Sequence, residues 1–472
     1  MQEKNKNKVN TEGREDSLGQ EKVSMEIISA FSKRKGFIFP SSEIYGGFAN
    51  AYGYGPYGTE LKNNIKKIWW QMFVQSRANM VGIDGPILLH PKLWEASGHT
   101  GGFNDAMVDC KKCKKRFRAD HLVKELTGED MEGELEKMTE VLQSGLKCPE
   151  CGGSDWTEAR NLNMMFKTEM NSFEGDVYLR PETAGAIFVE FKNITDSMRV
   201  KIPFGVAQIG KAFRNEIVAR NFTFRIREFE QMEIEYFIDP ESDWEPMFEN
   251  WLEEQKVFFN RIGVADKDLR KYEHPKEKLS HYSKKTVDWE FDFSFGWGEI
   301  SGLAHRGNFD LTQHSEHSNE KLEYFDAVNN RRYIPHVLEP TFGLDRMILI
   351  SLISAYREEE LEDGAKRIVM KFPKEVAPIK IAVFPLLKNK PDLVEKAKEI
   401  FGYLSQKYVC EFDDNGNVGK RYRRQDEIGT PYCLTIDFDT LEKGTVTVRD
   451  RDTMKQETIK VEEIDRFLSE NL

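Results

Sequence analysis

The sequence predicts an α+β protein that carries a separate α/β domain at its C-terminal end. Strand-like patterning runs from Asp176 to Asp239, and Asp288–Phe293 alternates strictly between acidic and aromatic residues. Such alternation is typical of a half-buried strand. After Pro373 and Pro378, strand-like and helix-like segments alternate over residues 378–472. That alternation indicates a domain with a core of its own.

Composition and charge favour a water-soluble protein. The chain has 472 residues, 39% of them hydrophobic, and a net charge of −12. It has no apolar run near the ~18 residues that a membrane helix needs, and the polar residues 1–20 lack the apolar segment of a signal peptide. We therefore expect a cytoplasmic location, no membrane association and a disordered tail over residues 1–20. The negative charge argues against broad, non-specific binding of nucleic acid.

The N-terminal part combines helical patterns with a glycine- and tyrosine-rich loop. A helix-like stretch begins at Met25, and glycines are frequent between Gly46 and Gly58. From Leu61 to Phe73 the apolar residues fall on one helical stripe, which predicts an amphipathic helix.

Two cysteine pairs bracket a charged segment that we interpret as an insertion at residues 105–160. They are Cys110-x-x-Cys113 and Cys148-x-x-Cys151, with helix-favouring residues from Leu122 to Leu146 between them. Two such pairs can close a tetrahedral zinc site, and four sulfur ligands leave no open position for catalysis. The spacing predicts a structural Zn²⁺ site, and the alternative is paired surface thiols without a metal.

The middle of the chain contains a predicted β-hairpin with charged and aromatic residues. A strand-like run ends at Arg214 and Glu216, and a polar loop leads into a second strand, Phe229–Phe237. Period-two alternation places three residues of this second strand on one face, namely Phe229, Gln231 and Glu233. One hairpin could therefore supply arginines for phosphate, an aromatic plate for a base and a carboxylate for an amine. The alternative is an ordinary hairpin with exposed charges.

After this hairpin, residues 240–285 are predicted to be a helical segment, with Trp244, Phe248 and Trp251 among its apolar anchors.

In the C-terminal region we expect strands at Lys380–Phe384, Val409–Phe412, Tyr432–Phe438 and Gly444–Val448. Asp392 is the predicted N-cap of a helix that runs to about Tyr408, and a last helix covers Glu462–Leu468. The basic cluster Lys420–Arg424 is either an RNA-contacting surface or a solvated helix face.

Several of these runs resemble motifs of class II aminoacyl-tRNA synthetases. Phe213–Glu216 together with Arg227–Phe229 resembles motif 2, Glu339–Arg346 resembles motif 3, and the region from Val81 to His99 resembles motif 1. Further runs are similar to dimeric glycyl-tRNA synthetases: Trp94–His99, Phe117–Leu122, Leu179–Ala184, His281–Lys284 and Gly296–Glu299. The resemblance covers about residues 25–472. It departs from the family at Gly185-Ala186, where Gln-Gly is usual, at Thr341, where Ser is usual, and in Gly302–Arg306.

The resemblance implies a fold and a domain organisation. We expect a class II catalytic domain over residues 21–372, with an antiparallel sheet flanked by helices, and an anticodon-binding domain over residues 378–472. Within the catalytic domain, residues 105–160 would be the zinc-binding insertion and residues 240–285 a helical insertion. Motif 1 implies a homodimer, with Pro91 near the subunit interface.

The resemblance also implies an ATP site with Mg²⁺. Arg214, Arg346 and Glu299 would be catalytic, Arg214 between the attacking carboxylate and the α-phosphate, Arg346 on the γ-phosphate and Glu299 on Mg²⁺. The implied ATP-binding residues are Arg214, Asn215, Glu216, Phe224, Arg225, Ile226, Arg227, Glu228, Phe229, Glu299, Ile300, Gly343, Leu344, Asp345 and Arg346. Planar guanidinium groups suit such bidentate phosphate contacts.

A glycine site follows from the same resemblance. Carboxylates would hold the ammonium group of the substrate, and crowding would exclude any side chain. The implied glycine-binding residues are Arg118, Glu182, Phe229, Glu230, Gln231, Met232, Glu233, Glu339, Pro340, Thr341, Phe342 and Gly343. No editing domain is required, because steric exclusion alone can reject every larger amino acid.

The expected activity is that of a glycine–tRNA ligase whose substrates are ATP, glycine and tRNA(Gly). One alternative is a non-catalytic relative, such as an RNA-binding protein or a polymerase accessory subunit. Such a relative should lack Arg214, Glu216 or Arg346, and all three are present. The other alternative is a class II synthetase for a different amino acid, which would need a larger pocket.

Overall fold

The computed structural model describes residues 22–129, 131, 133–216, 221–279, 283–361 and 364–472. The expected tail at residues 1–20, Arg220 in the polar loop and the His281-Tyr282 part of one family-specific run lie outside these residues. Helices within the described residues are α1 Met25–Lys35, α2 Pro56–Trp70, α3 Pro91–Ala96, α4 His99–Gly102, α5 Ala119–Thr127, α6 Leu135–Gln143, α7 Ala184–Met198, α8 Glu245–Arg261, α9 Phe309–Ser318, α10 Leu344–Ala355, α11 Pro391–Leu404, α12 Val418–Ile428, α13 Phe438–Lys443 and α14 Ile464–Asn471.

Short and long strands occur throughout the same part of the chain. They are β1 Ile38–Pro40, β2 Tyr52–Tyr54, β3 Met80–Ile83, β4 Asn104–Asp109, β5 Arg116–Arg118, β6 Arg160–Asn163, β7 Lys167–Thr168, β8 Val177–Tyr178, β9 Phe204–Phe213, β10 Glu228–Ile238, β11 Leu269–Glu273, β12 Lys285–Phe293, β13 Gly296–Gly307, β14 Tyr324–Asp326, β15 Arg331–Tyr333, β16 His336–Gly343, β17 Tyr356–Glu360, β18 Lys366–Met370, β19 Ile381–Pro385, β20 Cys410–Phe412, β21 Tyr432–Ile436, β22 Thr445–Asp450 and β23 Gln456–Lys460.

A seven-stranded sheet with the order β11-β12-β13-β16-β10-β9-β3 forms the centre of the larger domain. Its neighbouring strands are antiparallel except at the β3 edge, where β3 runs parallel to β9. The predicted hairpin is therefore present as β9 and β10, paired from Phe213↔Glu228 to Phe204↔Phe237. The antiparallel sheet flanked by helices agrees with the expected fold.

The two faces of this sheet have different roles because side chains alternate along each strand. Met232, Ile234 and Ile238 of β10 pack into the main core with helices α2, α8 and α10. On the opposite face, Phe237 packs with α7 and α9 in a second core. Phe229, Gln231 and Glu233 share that second face and line a cavity, so the odd-numbered positions of β10 carry the polar chemistry.

The prediction of a wholly helical segment at residues 240–285 is wrong in its second half. Helix α8 ends at Arg261, and Leu269–Glu273 is the edge strand β11, paired with β12. Its sequence, LRKYE, is exposed at every position after Leu269. A strand without a buried face shows no apolar alternation, and the period-two signal is therefore missing.

The insertion contains a three-stranded sheet, β5-β4-β6, and two helices. The single helical stretch predicted from Leu122 to Leu146 is divided into α5 and α6. Helix α5 ends at Gly128, whose φ of 80° is the left-handed conformation in which glycine is favoured. Val123, Met138, Leu142 and Trp156 form the buried core of this unit together with Cys110 and Cys148.

The C-terminal α/β domain has a five-stranded sheet with the order β20-β19-β21-β22-β23. The four predicted strands are all present, and β23 is an addition that its polar, exposed sequence conceals. Asp392 is not the N-cap of α11. Lys390 takes that position and Pro391 the first helical position, where its missing N–H costs nothing.

The basic cluster Lys420–Arg424 lies on α12 and serves partly as a structural element. Arg421 is buried and donates hydrogen bonds to the backbone oxygens of Asp414 (2.9 Å) and Gly416 (2.8 Å). Arg424 is paired with Asp413. Lys420 and Arg423 are exposed, as both the RNA-contact and the solvated-face interpretations require.

A buried ionic network joins the two domains. Arg367 on β18 donates through Nε to Asp426 on α12 at 2.9 Å, and Arg449 on β22 donates to both oxygens of Asp426 at 2.8 and 3.0 Å. Arg451 donates to the backbone oxygen of Phe372 at 2.8 Å. These side chains are nearly inaccessible to solvent, so the junction behaves as interior rather than as a flexible linker.

Candidate active site

A cavity of about 320 Å³ opens on the polar face of the central sheet. It lies above β10, β13 and β16, between the β9–β10 connection and the start of α10. The polar and charged side chains that line it are Glu182, Arg214, Glu216, Thr223, Arg225, Glu230, Gln231, Glu233, Thr286, Glu299, Ser301, Arg306, Glu339, Thr341, Asp345 and Arg346. The cavity therefore brings together the arginines and carboxylates that the sequence identified.

Arg214 lies between two aromatic rings at one side of the cavity. Its guanidinium carbon is 5.3 Å from the ring centroids of both Phe103 and Phe229, and its Nε donates to the backbone oxygen of Pro181 at 3.1 Å. Strand β9 ends at Phe213, so Arg214 follows the strand instead of belonging to it as the alternation suggested. The stacking fixes the plane of the guanidinium group, and the directions of its N–H donors are therefore fixed as well.

Arg346 occupies the first turn of α10 at the other side of the cavity. It stacks on Phe224 at 4.5 Å, and its Nη1 contacts Glu299 twice, at the backbone oxygen (2.7 Å) and at Oε2 (3.2 Å). The neighbouring charge of Arg346 lowers the pKa of Glu299, opposed by desolvation in the cavity, and Arg214 contributes in the same direction as Arg346. Glu299 is therefore an ionised carboxylate inside the cavity.

A further ion pair lies where the β9–β10 connection resumes. Arg225 contacts Glu216 through Nε at 2.7 Å, and Arg227 donates to the backbone oxygen of Glu216 at 2.7 Å. Both members of the Arg225–Glu216 pair line the cavity. A nucleotide could reach either a cation for phosphate or a carboxylate for a base edge at this point.

Three carboxylates form the acidic end of the cavity. Glu182 contacts His99 at 3.2 Å, and Glu233 accepts hydrogen bonds from the hydroxyl groups of Thr183 and, at 3.2 Å, Thr341. Glu339 accepts from Arg306 at 2.7 Å. All three side chains are buried or largely buried. A small cation at this end of the cavity would be surrounded by three carboxylate groups.

The electrostatic environment shifts the pKa values of these three carboxyl groups in different directions. Burial raises the pKa of Glu182, but His99, Arg306 and Arg214 together bring it down to about 2. Burial raises the pKa of Glu339 to about 8, opposed by Arg306 and reinforced by Glu233 and Glu182. Burial and the charge of Glu182 also raise the pKa of Glu233. The acidic end therefore has one firmly ionised group and others that ionise more readily when a cation arrives.

Arg306 connects the acidic end to the helix behind it. It donates to both carboxylate oxygens of Asp310 at 2.8 Å each, in addition to its bond to Glu339. Arg306 and Asp310 are both nearly inaccessible to solvent. Sequence reasoning did not assign either residue to the site, since the partner of Arg306 depends on where α9 packs.

Several predicted site residues contribute no side chain to the cavity. Met232, Phe342 and Leu344 are buried in the main core on the opposite face of the sheet. Glu230 lines the cavity but is held by Lys62 and by Lys66, the latter at 2.5 Å. Four further members of the predicted sets lie outside the lining, namely Asn215, Arg227, Glu228 and Pro340.

The predicted contact of Arg118 with the substrate stays a prediction. Arg118 pairs with Asp105 at 3.0 Å and with Asp120 at 2.5 Å inside the insertion, and it does not line the cavity.

His99, Thr183 and Tyr54 were also missed as site residues. Tyr54 donates to Asp345, which in turn accepts from the backbone N–H of Glu230 at 2.8 Å. His99 and Thr183 stand inside the family-specific runs, so the runs were a usable signal for these two. Nothing in the local sequence connects Tyr54 with Asp345.

The four insertion cysteines form one cluster. Sγ of Cys110 lies 3.7 Å from that of Cys151, and Sγ of Cys113 lies 3.8 Å from that of Cys148. All four sulfurs lie within 4.8 Å of one another. Sulfurs bound to one tetrahedral Zn²⁺ at about 2.3 Å would be separated by about 3.8 Å. The observed separations therefore fit the metal that the spacing predicts.

Comparisons with known proteins agree with this description. Residues 165–355 match the family described as the tRNA synthetase class II core domain (G, H, P, S and T). Residues 380–471 match the anticodon binding domain. The two matches confirm the expected pairing of a class II core with a C-terminal anticodon-binding domain.

Individual relatives extend the likeness over nearly the whole chain. A glycine–tRNA ligase of Acetivibrio thermocellus is 51% identical over 457 residues, which cover 94% of this chain and 97% of the relative. Glycine–tRNA ligases of Alkaliphilus metalliredigens and Geobacillus thermodenitrificans are each 50% identical, over 459 and 462 residues, with 95% of this chain and 98% of each relative covered.

Proposed function

This chain belongs to the glycine–tRNA ligase family, and from that premise we propose how its cavity performs the reaction. Glycine and ATP form glycyl-adenylate and pyrophosphate, and the glycyl group is then transferred to the 3′ end of tRNA(Gly). The observation that carries the assignment of residues is that Arg214 and Arg346 share one cavity with Glu182, Glu233 and Glu339. Cationic groups for phosphate and anionic groups for an ammonium are both required by the first step.

The activation step needs positioning and charge stabilisation more than covalent help from the protein. The glycine carboxylate must attack the α-phosphate in line, and both reactants are anionic. We assign Arg214 to the oxygens between them and Arg346 to the γ-phosphate, with Arg225 as a further phosphate ligand. The aromatic rings against Arg214 and Arg346 hold the guanidinium planes before ATP arrives. Such preorganised charge is what stabilises a transition state most effectively.

Phe229 is the proposed stacking partner of the adenine ring, and Glu216 the proposed contact of its edge. Phe229 lies beside Arg214 on the exposed face of β10. A base that enters over Phe229 would place its phosphates towards the arginines.

Glu299 is suited to hold Mg²⁺. Its carboxylate lines the cavity, is ionised because of Arg346 and keeps about half of its side chain accessible. Mg²⁺ is commonly bound by one or two carboxylates together with substrate phosphates. The metal would neutralise charge on the phosphates, while Arg346 orients the Glu299 side chain towards them.

The acidic end is the proposed site of the glycine ammonium group. Glu182, Glu233 and Glu339 surround it, and Thr341 keeps the hydroxyl of the family's usual serine, which here donates to Glu233 at 3.2 Å. The added methyl group of Thr341 narrows the space beside the glycine Cα. Crowding of this kind rejects larger amino acids without an editing step.

Glutamine in place of Glu182 should raise the KM for glycine roughly 10- to 100-fold and leave the KM for ATP unchanged. The reason is the loss of the one firmly ionised carboxylate at the ammonium, and hydrogen bonds to charged groups have about this effect on binding. Steady-state pyrophosphate exchange at varied glycine measures both constants. Glu457→Gln, at an exposed strand position of the C-terminal domain, is the matched control. Equal increases in both KM values would contradict the assignment.

The function itself is tested by amino-acid-dependent ATP–pyrophosphate exchange. We expect exchange with glycine and none above background with alanine or serine at equal concentration. No exchange with glycine would overturn the proposal, and exchange with serine or alanine instead would make the chain a synthetase for another amino acid.

A structural Zn²⁺ in the insertion is the proposed role of the four cysteines. Replacing Cys148 with serine should lower the zinc content of the purified protein from about one ion per chain to near zero, because three thiolates with one hydroxyl bind zinc poorly. Atomic emission spectroscopy after dialysis measures this. Cys433→Ser, at a buried thiol outside the cluster, should keep its zinc. Full zinc content in the Cys148 variant would contradict the site.

We further propose the domain boundaries expected above, a cytoplasmic location and a homodimer built on the motif 1 region around α3. No helix in the described residues is long and apolar enough to cross a membrane. Sedimentation of the purified protein tests the dimer. On the anticodon-binding domain, the exposed Lys420 and Arg423 remain the proposed RNA contacts of the basic cluster.

A further inference from the structure

Glu235 is a buried carboxylic acid that the proposed mechanism does not use. It lies on β10, two residues beyond Glu233 on the same face, and its side chain is 0% exposed. Among the described residues neither Oε1 nor Oε2 has a hydrogen-bond partner. Glu235 does not line the cavity. A carboxyl group in this position requires an explanation, because an ionised carboxylate without donors is very costly to bury.

The neighbours of Glu235 come from the strands and the helix that pack around it. The β10–β16 register runs from Glu233↔Thr341 to Tyr236↔Leu338, which places Glu235 opposite Glu339. Carboxylate oxygens of Glu233, Glu235 and Glu339 all lie within 4.8 Å of one another. The charged groups that face Glu235 are Glu339 from β16, Glu233 from its own strand, Arg306 from β13 and Asp310 from α9.

The charges in this cluster do not balance if every acid is ionised. Among the described residues, Arg306 is the cation whose charge acts on Glu235, and its guanidinium group binds Asp310 through two nitrogens and Glu339 through the third. Glu235 would be a further buried anion beside Glu339, without a donor of its own. When two buried carboxyl groups lie this close together, ionisation of one disfavours ionisation of the other, so one of them keeps its proton.

We propose that Glu235 remains a neutral carboxylic acid and donates a hydrogen bond to Glu339, and thereby positions Glu339 for the ammonium group of the substrate. The inference rests on the proposed function, in which Glu339 contacts the glycine ammonium. Glu235 is then a positioning residue, because it acts through Glu339 and not on the substrate. An O–H group that donates to an ionised carboxylate makes a strong, directional hydrogen bond.

The direction of the pKa shifts agrees with this geometry. Burial, followed by the charge of Glu339, raises the pKa of Glu235 well above its ordinary value. Burial also raises the pKa of Glu339, to about 8. When the ammonium group enters, its charge favours ionisation of Glu339, which lines the cavity, and the proton of Glu339 leaves to solvent; Glu235, which does not line the cavity, keeps its own. A buried carboxylic acid kept neutral so that it can donate is an established device in enzyme sites.

Two substitutions separate a neutral donor from a required negative charge. In Glu235→Gln the amide is neutral, similar in shape and able to donate to Glu339, so we expect a glycine KM within about threefold of wild type. In Glu235→Leu the donor is lost, and the glycine KM should rise about tenfold or more with kcat and the ATP KM little changed. Pyrophosphate exchange measures all three. A glutamine variant as impaired as the leucine variant would overturn the proposal.

Thermal unfolding provides a readout that needs neither activity nor the leucine variant. A carboxyl group whose pKa is raised on folding takes up a proton on folding at pH values between its unfolded and its folded pKa, so its contribution to stability falls as the pH rises through that range. Glutamine has no such dependence. The Tm of Glu235→Gln minus that of wild type should therefore increase steadily from pH 5 to pH 8.

Glu457→Gln, the exposed control, should show no trend with pH. A Glu235→Gln difference that is independent of pH would contradict the neutral acid. If wild type gives no glycine-dependent exchange but the Tm trend is present, the proposed function fails and the neutral Glu235 stands. If exchange is normal and the trend is absent, the present inference alone fails.

Discussion

Replacing Arg214 with alanine should reduce glycine-dependent ATP–pyrophosphate exchange by about 10²- to 10³-fold in kcat, the range found when one preorganised transition-state donor is removed. Arg214 is held between Phe103 and Phe229 before any ligand binds, at 5.3 Å from each ring centroid. A water molecule in its place would have neither the charge nor the fixed orientation. The exchange rate at saturating glycine and ATP measures the loss.

Two matched variants give this experiment its controls. Arg214→Lys keeps the charge without the planar fork and should recover only a small part of the activity. Arg466→Ala removes an arginine whose side chain is 80% exposed on the last helix and should leave exchange unchanged. An Arg214→Ala variant within about tenfold of wild type would contradict the role of this residue at the α-phosphate, since the loss expected for such a donor is larger.

Leucine in place of Arg306 should destabilise the protein by about 3 to 5 kcal/mol, the usual cost of removing one partner from a buried ionic network. The substitution leaves Asp310 and Glu339 buried without the guanidinium group that now binds both. Urea unfolding, monitored by tryptophan fluorescence, measures the decrease in the free energy of unfolding in the first transition. Arg466→Leu, at the exposed position, should be within about 0.5 kcal/mol of wild type.

The pH dependence of this variant provides an independent check. Without Arg306, which opposes the shift, the pKa of the buried carboxyl group of Glu339 should lie still further above that of the unfolded chain. The folded state then holds protons that the unfolded state lacks, and stability falls as the pH rises. The deficit of Arg306→Leu should therefore be smaller at pH 5 than at pH 8. A deficit that is the same at pH 5 and at pH 8 would show that the loss comes from packing alone.

The part of the site that could be predicted from the sequence is the part that local patterns encode. Alternation along β10 placed Phe229, Gln231 and Glu233 on one face, and the structure has them there. The motif runs supplied Arg214 and Arg346. The cysteine spacing indicated a tetrahedral cluster, and the sulfur separations agree with it. In each case the residues that act together are close in sequence or belong to a recognisable run.

What the sequence concealed depends on contacts between distant segments. Tyr54 and Asp345 are 291 residues apart along the chain, and only the packing of β2 against α10 brings them together. Strand β11 was missed because its exposed residues show no apolar alternation. Glu235 has the same period-two position as Glu233, yet its burial away from the cavity follows from the neighbouring strands and helix. Burial of a charged residue is a property of the fold and has no local signature.

The buried junction around Asp426 fixes the anticodon-binding domain relative to the central sheet that carries the cavity. Helix α12 of that domain contacts β18 through Arg367. Because arginines from both domains share the carboxylate of Asp426, the distance between the cavity and the anticodon-binding domain is fixed by buried contacts. We therefore expect a tRNA that contacts both domains to meet them at a fixed separation.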